Sequence, residues 1–242
     1  MNFVIFGQAR TGSSFFFHLL QSHPQLQCDG ELLGVHLWRR GIRRYLLKIV
    51  RRFPEPYILW KATKSPQPIY GFKLFVNQTT ATSRVISTLK NHGWQIIHIQ
   101  RRGLFDIALS KTVAFLTNHY VGYKQSDQLD EVCITIPPER FAHQIEQCIN
   151  LRRRELDALK GVPHFQVTYE DDLLNEADRN RICGAIFKAL QIEPLPVSTA
   201  RSHSWNRPYS ELVVNYSELQ AFMQTTTGRA LQTAWDGLFE AD

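Results

Sequence analysis

The sequence predicts an α/β protein with a mainly parallel central sheet covered by helices on both faces. Three observations carry that prediction. Apolar, β-rich runs alternate with segments of helical periodicity along the 242 residues. The first run passes through a glycine-flanked turn straight into a helical pattern. A later run ends in paired arginines before another helical pattern. Such alternation favours a parallel sheet, whose ligands gather at the carboxyl ends of its strands.

The elements follow in order. Asn2-Phe-Val-Ile-Phe6 is a short apolar run bounded by Gly7 and reads as a buried strand. Residues 13–22 read as a helix, with Ser13 or Ser14 placed to cap it and Pro24 to end it. From Leu37 to Phe53 runs a basic amphipathic stretch. There Trp38, Ile42, Tyr45, Leu46, Ile49 and Phe53 keep helical spacing among Arg39, Arg40, Arg43, Arg44, Lys48, Arg51 and Arg52. Those basic side chains outnumber the whole formal net charge of +6. The stretch reads as a solvated face, a lid that attracts an anionic acceptor, or a contact with an anionic membrane surface.

Pro54, Pro56, Pro66 and Pro68 predict an irregular approach to a second strand at 70–76. A helix at 79–91, a strand at 94–100, helices at 104–119 and 138–160 and a strand at 164–169 complete the pattern. No internal repeat or low-complexity linker appears. Residues 1–242 therefore read as one domain, with the basic helical segment at 35–53 as a lid or acceptor-side element.

Composition narrows the function. An apolar content of 43% with 21% charged residues belongs to a globular rather than a disordered chain. A pI near 9.2 favours anionic ligands or surfaces. The interleaved basic and aromatic residues of RNA-binding signatures are missing, so nucleic acid is not an expected partner. Cys28, Cys133, Cys148 and Cys183 are scattered without a C-x-x-C pair, which points to reduced or buried thiols rather than a disulfide frame or a zinc site. No run reaches the length of a membrane span, and the first residues lack the basic start and cleavage site of a signal peptide. The expected location is cytoplasmic.

Gly7-Gln-Ala-Arg-Thr-Gly-Ser-Ser14 is the most informative segment. Gly7, Gly12 and Ser14 sit where the P-loop pattern G-x-x-x-x-G-K-[ST] puts them, but Ser13 occupies the lysine position. That lysine reaches the β- and γ-phosphates of a nucleoside triphosphate. A loop that keeps the cradle without it suits a ligand with clustered anionic oxygens that is not a triphosphate. Strand, turn and helix aim backbone N–H groups and the positive helix end at an anion, and Arg10 adds a planar fork. The plain alternative is an ordinary strand-to-helix turn.

A second anion site is read at Arg101-Arg102-Gly-Leu-Phe-Asp106-Ile-Ala-Leu-Ser110. A strand ends at the arginines, and about a turn and a half of helix brings Ser110 back toward the strand end. Guanidinium and hydroxyl would clamp a second phosphate. Taken alone, paired arginines before a helix are more often surface charge.

Together these segments resemble the sulfotransferases that use 3′-phosphoadenosine 5′-phosphosulfate (PAPS). In that family an Arg/Ser-Gly-Thr/Ser loop after the first strand binds the 5′-phosphosulfate, and an R-N-P-R-D-x-x-x-S segment binds the 3′-phosphate. Arg102, Asp106 and Ser110 keep the second spacing, although Gly103-Leu104-Phe105 departs from it. Tyr169-Glu-Asp-Asp-Leu173 is similar to the family's Y-E-D-L segment with one residue extra. Asn206-Arg-Pro-Tyr-Ser-Glu-Leu-Val-Val-Asn-Tyr-Ser-Glu-Leu219 resembles the R-x-x-x-x-x-x-N-Y-x-E-L tail of bacterial members.

The resemblance implies a three-layer, P-loop type of sandwich around a parallel sheet and sulfonyl transfer from PAPS to a hydroxyl of a carbohydrate, glycolipid or other small acceptor. It implies adenosine 3′,5′-bisphosphate as product, and no metal. Donor ligands would be Gly7, Arg10, Thr11, Gly12, Ser13 and Ser14 at one end and Arg102 and Ser110 at the other. Lys73 would stabilise the bridging oxygen, with Arg10, by analogy with the family's strand lysine; its alternative is a strand lysine that snorkels outward.

The histidine that animal-type members carry two residues after that lysine is Phe75 here. Glu31, in the segment after the first helix, is therefore the preferred general base, as in some bacterial carbohydrate sulfotransferases, with His36 in reserve. The competing role for Glu31 is a loop carboxylate paired with an arginine. His18 and His98 read as packing residues, and Asp29 as part of a turn with Gly30. The rival functions are a P-loop kinase of a small metabolite and a non-catalytic protein of the same fold that binds anionic glycans or lipids.

Overall fold

The computed structural model describes residues 1–34, 43–118, 133–199 and 208–240. Strands β1 (Phe3–Gly7), β2 (Leu26–Glu31), β3 (Ile69–Phe75), β4 (Gln95–Gln100) and β5 (Phe165–Thr168) form one sheet in the order β2-β3-β1-β4-β5. Every neighbouring pair is parallel. The helices are α1 (Ser13–Gln21), α2 (Arg43–Arg52), α3 (Glu55–Ala62), α4 (Thr82–Asn91), α5 (Leu104–Thr117), α6 (Pro138–Leu159), α7 (Glu176–Ala189), α8 (Tyr209–Leu212), α9 (Tyr216–Met223) and α10 (Thr226–Glu240). The result is an α/β architecture with a central parallel sheet flanked by helices.

The described chain divides into two compact units, residues 1–102 with 154–200 and residues 103–153 with 201–242. The first holds the sheet. Along β1, Phe3 and Ile5 are buried in a core with Phe16, Leu19 and Leu20 of α1 and Ile182, Ile186 and Phe187 of α7. Val4 and Phe6 point the opposite way by strand alternation and are equally inaccessible. A strand buried on both faces reads as an unbroken apolar run, which makes β1 legible in the sequence. On that second face Trp94 meets Phe72 edge-on at 5.8 Å, and α4 buries Val85, Ile86 and Leu89. Each fully buried side chain of this size contributes roughly 1.5–3 kcal/mol.

The second unit is helical. Leu104, Ile107 and Val113 of α5 share a core with Phe141 and Ile145 of α6, Leu219 of α9 and Trp235 of α10. The side-chain amide of Asn215 both donates to Ile136 O at 2.8 Å and accepts from Ile136 N at 3.0 Å. The N-Y-x-E-L tail thus has a structural role, in which its asparagine ties α9 to the chain entering α6.

The structure corrects three expectations. Leu26–Glu31 is a strand, so Asp29 lies in β2 rather than in a turn with Gly30. Its sequence, with two acids and a glycine, lacks an apolar run because β2 is an edge strand with one neighbour. The proline-rich approach to β3 is not irregular throughout, for α3 starts beside Pro54 and Pro56, where a missing N–H costs nothing. Neither serine caps α1; the N-cap is Gly12. Helices α7, α8, α9 and α10 lie beyond the pattern expected from the sequence. Of the basic stretch, residues 43–53 are described as α2 and the turn after it, while Trp38, Arg39, Arg40 and Ile42 lie outside the described residues, as do His36, Asn206 and Arg207.

Candidate functional site

The loop after β1 makes a tight turn into α1. Gly12 has φ +86°, and a Cβ there would lie 2.4 Å from the Tyr169 ring, so the position admits only glycine. Arg10 is also left-handed at φ 73°, an uncommon state for a residue with a side chain. The buried Thr11 hydroxyl donates to Gln8 O at 2.9 Å and closes the turn. Val76 N–H donates to Gly7 O at 3.0 Å, pinning the loop's start to the end of β3. The first intrahelical bond of α1 runs from Phe16 N–H to Gly12 O at 3.0 Å, so the amides of Ser13, Ser14 and Phe15 precede it. No acidic side chain occupies that first turn. These N–H groups and the positive helix end suit an anionic ligand.

A lysine from the neighbouring strand reaches the first turn of α1. Lys73 of β3 is buried, and its Nζ donates to Ser14 Oγ at 3.0 Å. The ammonium also lies over the rings of Phe17 and Phe75, at 5.4 and 5.7 Å from their centroids. A cation held among aromatic faces is only partly solvated, which strengthens its attraction for an anion.

Glu31 reaches the same corner through an irregularity in β2. Asp29 pairs with Phe72, the register then slips past Gly30, and Glu31 becomes the partner of Lys73. Strict alternation would have set Glu31 on Asp29's face; the extra residue returns it to that of Lys73. Glu31 Oε2 accepts from Gln78 Nε2 at 2.7 Å, and Gln78 Oε1 accepts from Phe75 N–H at 3.1 Å. Burial lowers the Arg51 guanidinium below its ordinary value, and the Glu31 carboxylate opposes that shift. Asp29 is engaged elsewhere, accepting from Tyr70 Oη at 2.8 Å and pairing with Lys61 at 3.4 Å. Burial, reinforced by Asp29, pushes the Cys28 thiol up, so Cys28 is not a nucleophile in this corner.

Tyr169 links the cradle to the arginines that end β4. Its ring packs on Gly12, and the Arg101 guanidinium stacks on it at 4.7 Å. The acids that follow each hold something in place. Glu170 accepts from Arg102 N–H at 3.1 and 3.0 Å through its two oxygens. Asp171 takes the Arg102 guanidinium in a bidentate pair, 2.6 Å at each contact. Asp172 accepts from Thr168 N–H at 2.8 Å and pairs with Arg181. This Y-E-D-D-L segment is a π-helical turn, Tyr169–Leu173.

Of the residues singled out in the sequence, Gly7, Arg10, Thr11, Gly12, Ser13, Ser14, Lys73 and Glu31 belong to one corner at the carboxyl ends of β1, β2 and β3. Arg102 follows β4 in the same unit. Ser110 lies in the second unit, buried on α5, where Tyr209 Oη donates to its Oγ at 2.8 Å. His98 is fully buried against Glu155 at 3.3 Å, and His18 packs edge-on to Phe17, both as packing residues. Sequence reasoning missed Gln78, Tyr169 and Asp171 as site residues. Gln78 carries no motif, whereas Tyr169 and Asp171 lay inside a recognised segment whose geometry spacing alone does not give.

Among the described residues no cluster of three or more His, Cys, Asp or Glu side chains is arranged to hold a metal. No described helix is long and apolar enough to cross a membrane.

No family model matches the chain, and no curated protein does. Among solved structures, it is similar to the crystal structure of a sulfotransferase from Alicyclobacillus acidocaldarius. That likeness has a TM-score of 0.49 and 16% identity, over 97% of this chain and 98% of the other.

Proposed function

We propose that the protein transfers a sulfonyl group from PAPS to a hydroxyl of a carbohydrate, glycolipid or other small acceptor. The observation that carries this reading is the contact between Lys73 Nζ and Ser14 Oγ at 3.0 Å. It supports a loop that handles one phosphosulfate anhydride with a cation supplied from β3, rather than a γ-phosphate with a lysine of its own.

In this reading the 5′-phosphosulfate lies on the amides that open α1, with Gly7, Arg10, Thr11, Gly12, Ser13 and Ser14 around it. Arg102 and Ser110 are proposed 3′-phosphate ligands on the strength of their motif. The acceptor oxygen attacks sulfur in line with the bridging oxygen. Glu31 takes the acceptor's proton as the new O–S bond forms. The bond between sulfur and the bridging oxygen breaks, and Lys73 and Arg10 neutralise the charge left on the 5′-phosphate. The products are the sulfate ester and adenosine 3′,5′-bisphosphate.

The test is incubation with radiolabelled PAPS and a panel of glycan, lipid and phenolic acceptors. Label on a hydroxyl, with release of adenosine 3′,5′-bisphosphate, is the expected result. Transfer from ATP in place of PAPS would overturn the reading in favour of a kinase.

A further inference from the structure

The outer face of α2 combines exposed apolar side chains with positive charge, and nothing in the proposed chemistry uses it. Leu46, Ile49 and Phe53 are 45%, 61% and 54% exposed. They fall at i, i+3 and i+7, within a narrow arc of one helix face. The bond from Phe53 N–H to Ile49 O at 2.9 Å carries the helical course through to Phe53. The flanks are basic. Lys48 is exposed, and the guanidinium groups of Arg52 and Arg84 lie 5.8 and 5.4 Å from the Phe53 ring centroid, Arg84 being held there by its pair with Glu55 at 2.6 Å. From Leu32 to Pro54 the sequence holds no acidic residue.

The inner face of the same helix is firmly docked. Leu47 is buried, and Arg51 donates through Nε and Nη2 to Leu33 O at 3.0 and 2.7 Å. The Thr79 hydroxyl donates to Arg51 O at 2.6 Å. Exposure of three large apolar residues is thus not a loosely placed helix. One face is committed to the protein, and the other offers an apolar ridge in a cationic border.

We infer that this outer face is a docking surface for an anionic lipid bilayer. Leu46, Ile49 and Phe53 enter the headgroup boundary while Lys48 and Arg52 meet lipid phosphates. A purely polar polyanion would use the charges and leave the ridge in water; a neutral apolar partner would use the ridge and leave the charges unpaired. A lipid surface satisfies both. Leu33, which Arg51 grips, follows Glu31 by two residues, so docking brings the site's segment to the bilayer. Where the proposed transfer holds, this favours a hydroxyl on a lipid headgroup as acceptor.

The test is co-sedimentation of the full chain with vesicles, which requires no donor and no turnover and so stands or falls apart from sulfonyl transfer. The full chain is expected to bind vesicles of phosphatidylglycerol and phosphatidylcholine in equal parts, and to bind pure phosphatidylcholine at least about tenfold more weakly. Lys48→Ala with Arg52→Ala should lower binding by roughly thirtyfold. Ile49→Asp should lower it by about tenfold or more. All three positions are solvent-facing, and a thermal melt checks that each variant is folded. Equal binding to both vesicle types, or binding that survives both variants, overturns the inference. So does absence of vesicle binding, including the case in which the protein instead retains a single-stranded RNA through the same charges.

Discussion

Lys73 Nζ lies 3.0 Å from Ser14 Oγ, a contact between β3 and the first turn of α1. A lysine absent from the loop's sequence is thereby present in its space. Its predicted role is to neutralise the leaving phosphate. Lys73→Met should lower kcat by about 100–1,000-fold, within the range for loss of a single group that stabilises developing charge. Affinity for adenosine 3′,5′-bisphosphate should change far less, which equilibrium titration checks beside the rate.

Glu31 and Gln78 should behave as one unit. Glu31→Gln is expected to abolish transfer with product affinity nearly unchanged. Gln78→Met removes the N–H that fixes the carboxylate and should lower kcat by roughly tenfold to a hundredfold. In a double-mutant cycle the second substitution should add little once Glu31 is gone. Independent, additive losses would remove Gln78 as a positioning residue.

Gly12→Ala tests the cradle's construction. The new Cβ meets the Tyr169 ring in a backbone state that disfavours alanine. A loss of about 2–4 kcal/mol is expected, read from denaturant unfolding. Adding Tyr169→Ala should relieve the collision but not the backbone cost, so the double variant should recover only in part.

The pair between Arg102 and Asp171 has a pH signature. The hydrogen bond from Arg102 holds the Asp171 carboxyl below its ordinary value. Its stabilising contribution is therefore present above the ordinary carboxylate range and is lost as pH falls through the depressed value. Both side chains are about half exposed, so the contribution is at most about 1 kcal/mol. The stability difference between the wild type and Asp171→Asn should vanish in acid. If Arg102 receives the 3′-phosphate, the same variant removes a competing anion and should tighten adenosine 3′,5′-bisphosphate binding by about threefold to tenfold. Arg102→Ala should weaken it severely.

The legible part of this protein is the part written in local rules. β1, β3 and β4 are apolar runs because both faces of the sheet are covered, and the cradle announces itself through Gly7 and Gly12. β2 escaped because an edge strand tolerates Asp29, Gly30 and Glu31 in a row. That same tolerance allows the register slip that pairs Glu31 with Lys73, which no spacing rule conveys. Gln78 was invisible for a related reason: its role depends on a contact across 47 residues of chain. The Y-E-D-D-L segment stands out in the sequence, but only the packing of Tyr169 on Gly12 explains why an aromatic belongs there. The basic stretch was read as amphipathic, and α2 separates its docked face from its exposed one.

The most direct test of the central claim is calorimetric titration of the protein with adenosine 3′,5′-bisphosphate and with ATP, each with Mg²⁺ and with a chelator. The account predicts that the bisphosphate binds at least about a hundredfold more tightly than ATP, a gap of roughly 2.7 kcal/mol, and that the chelator changes nothing. Tighter, Mg²⁺-dependent binding of ATP would contradict it.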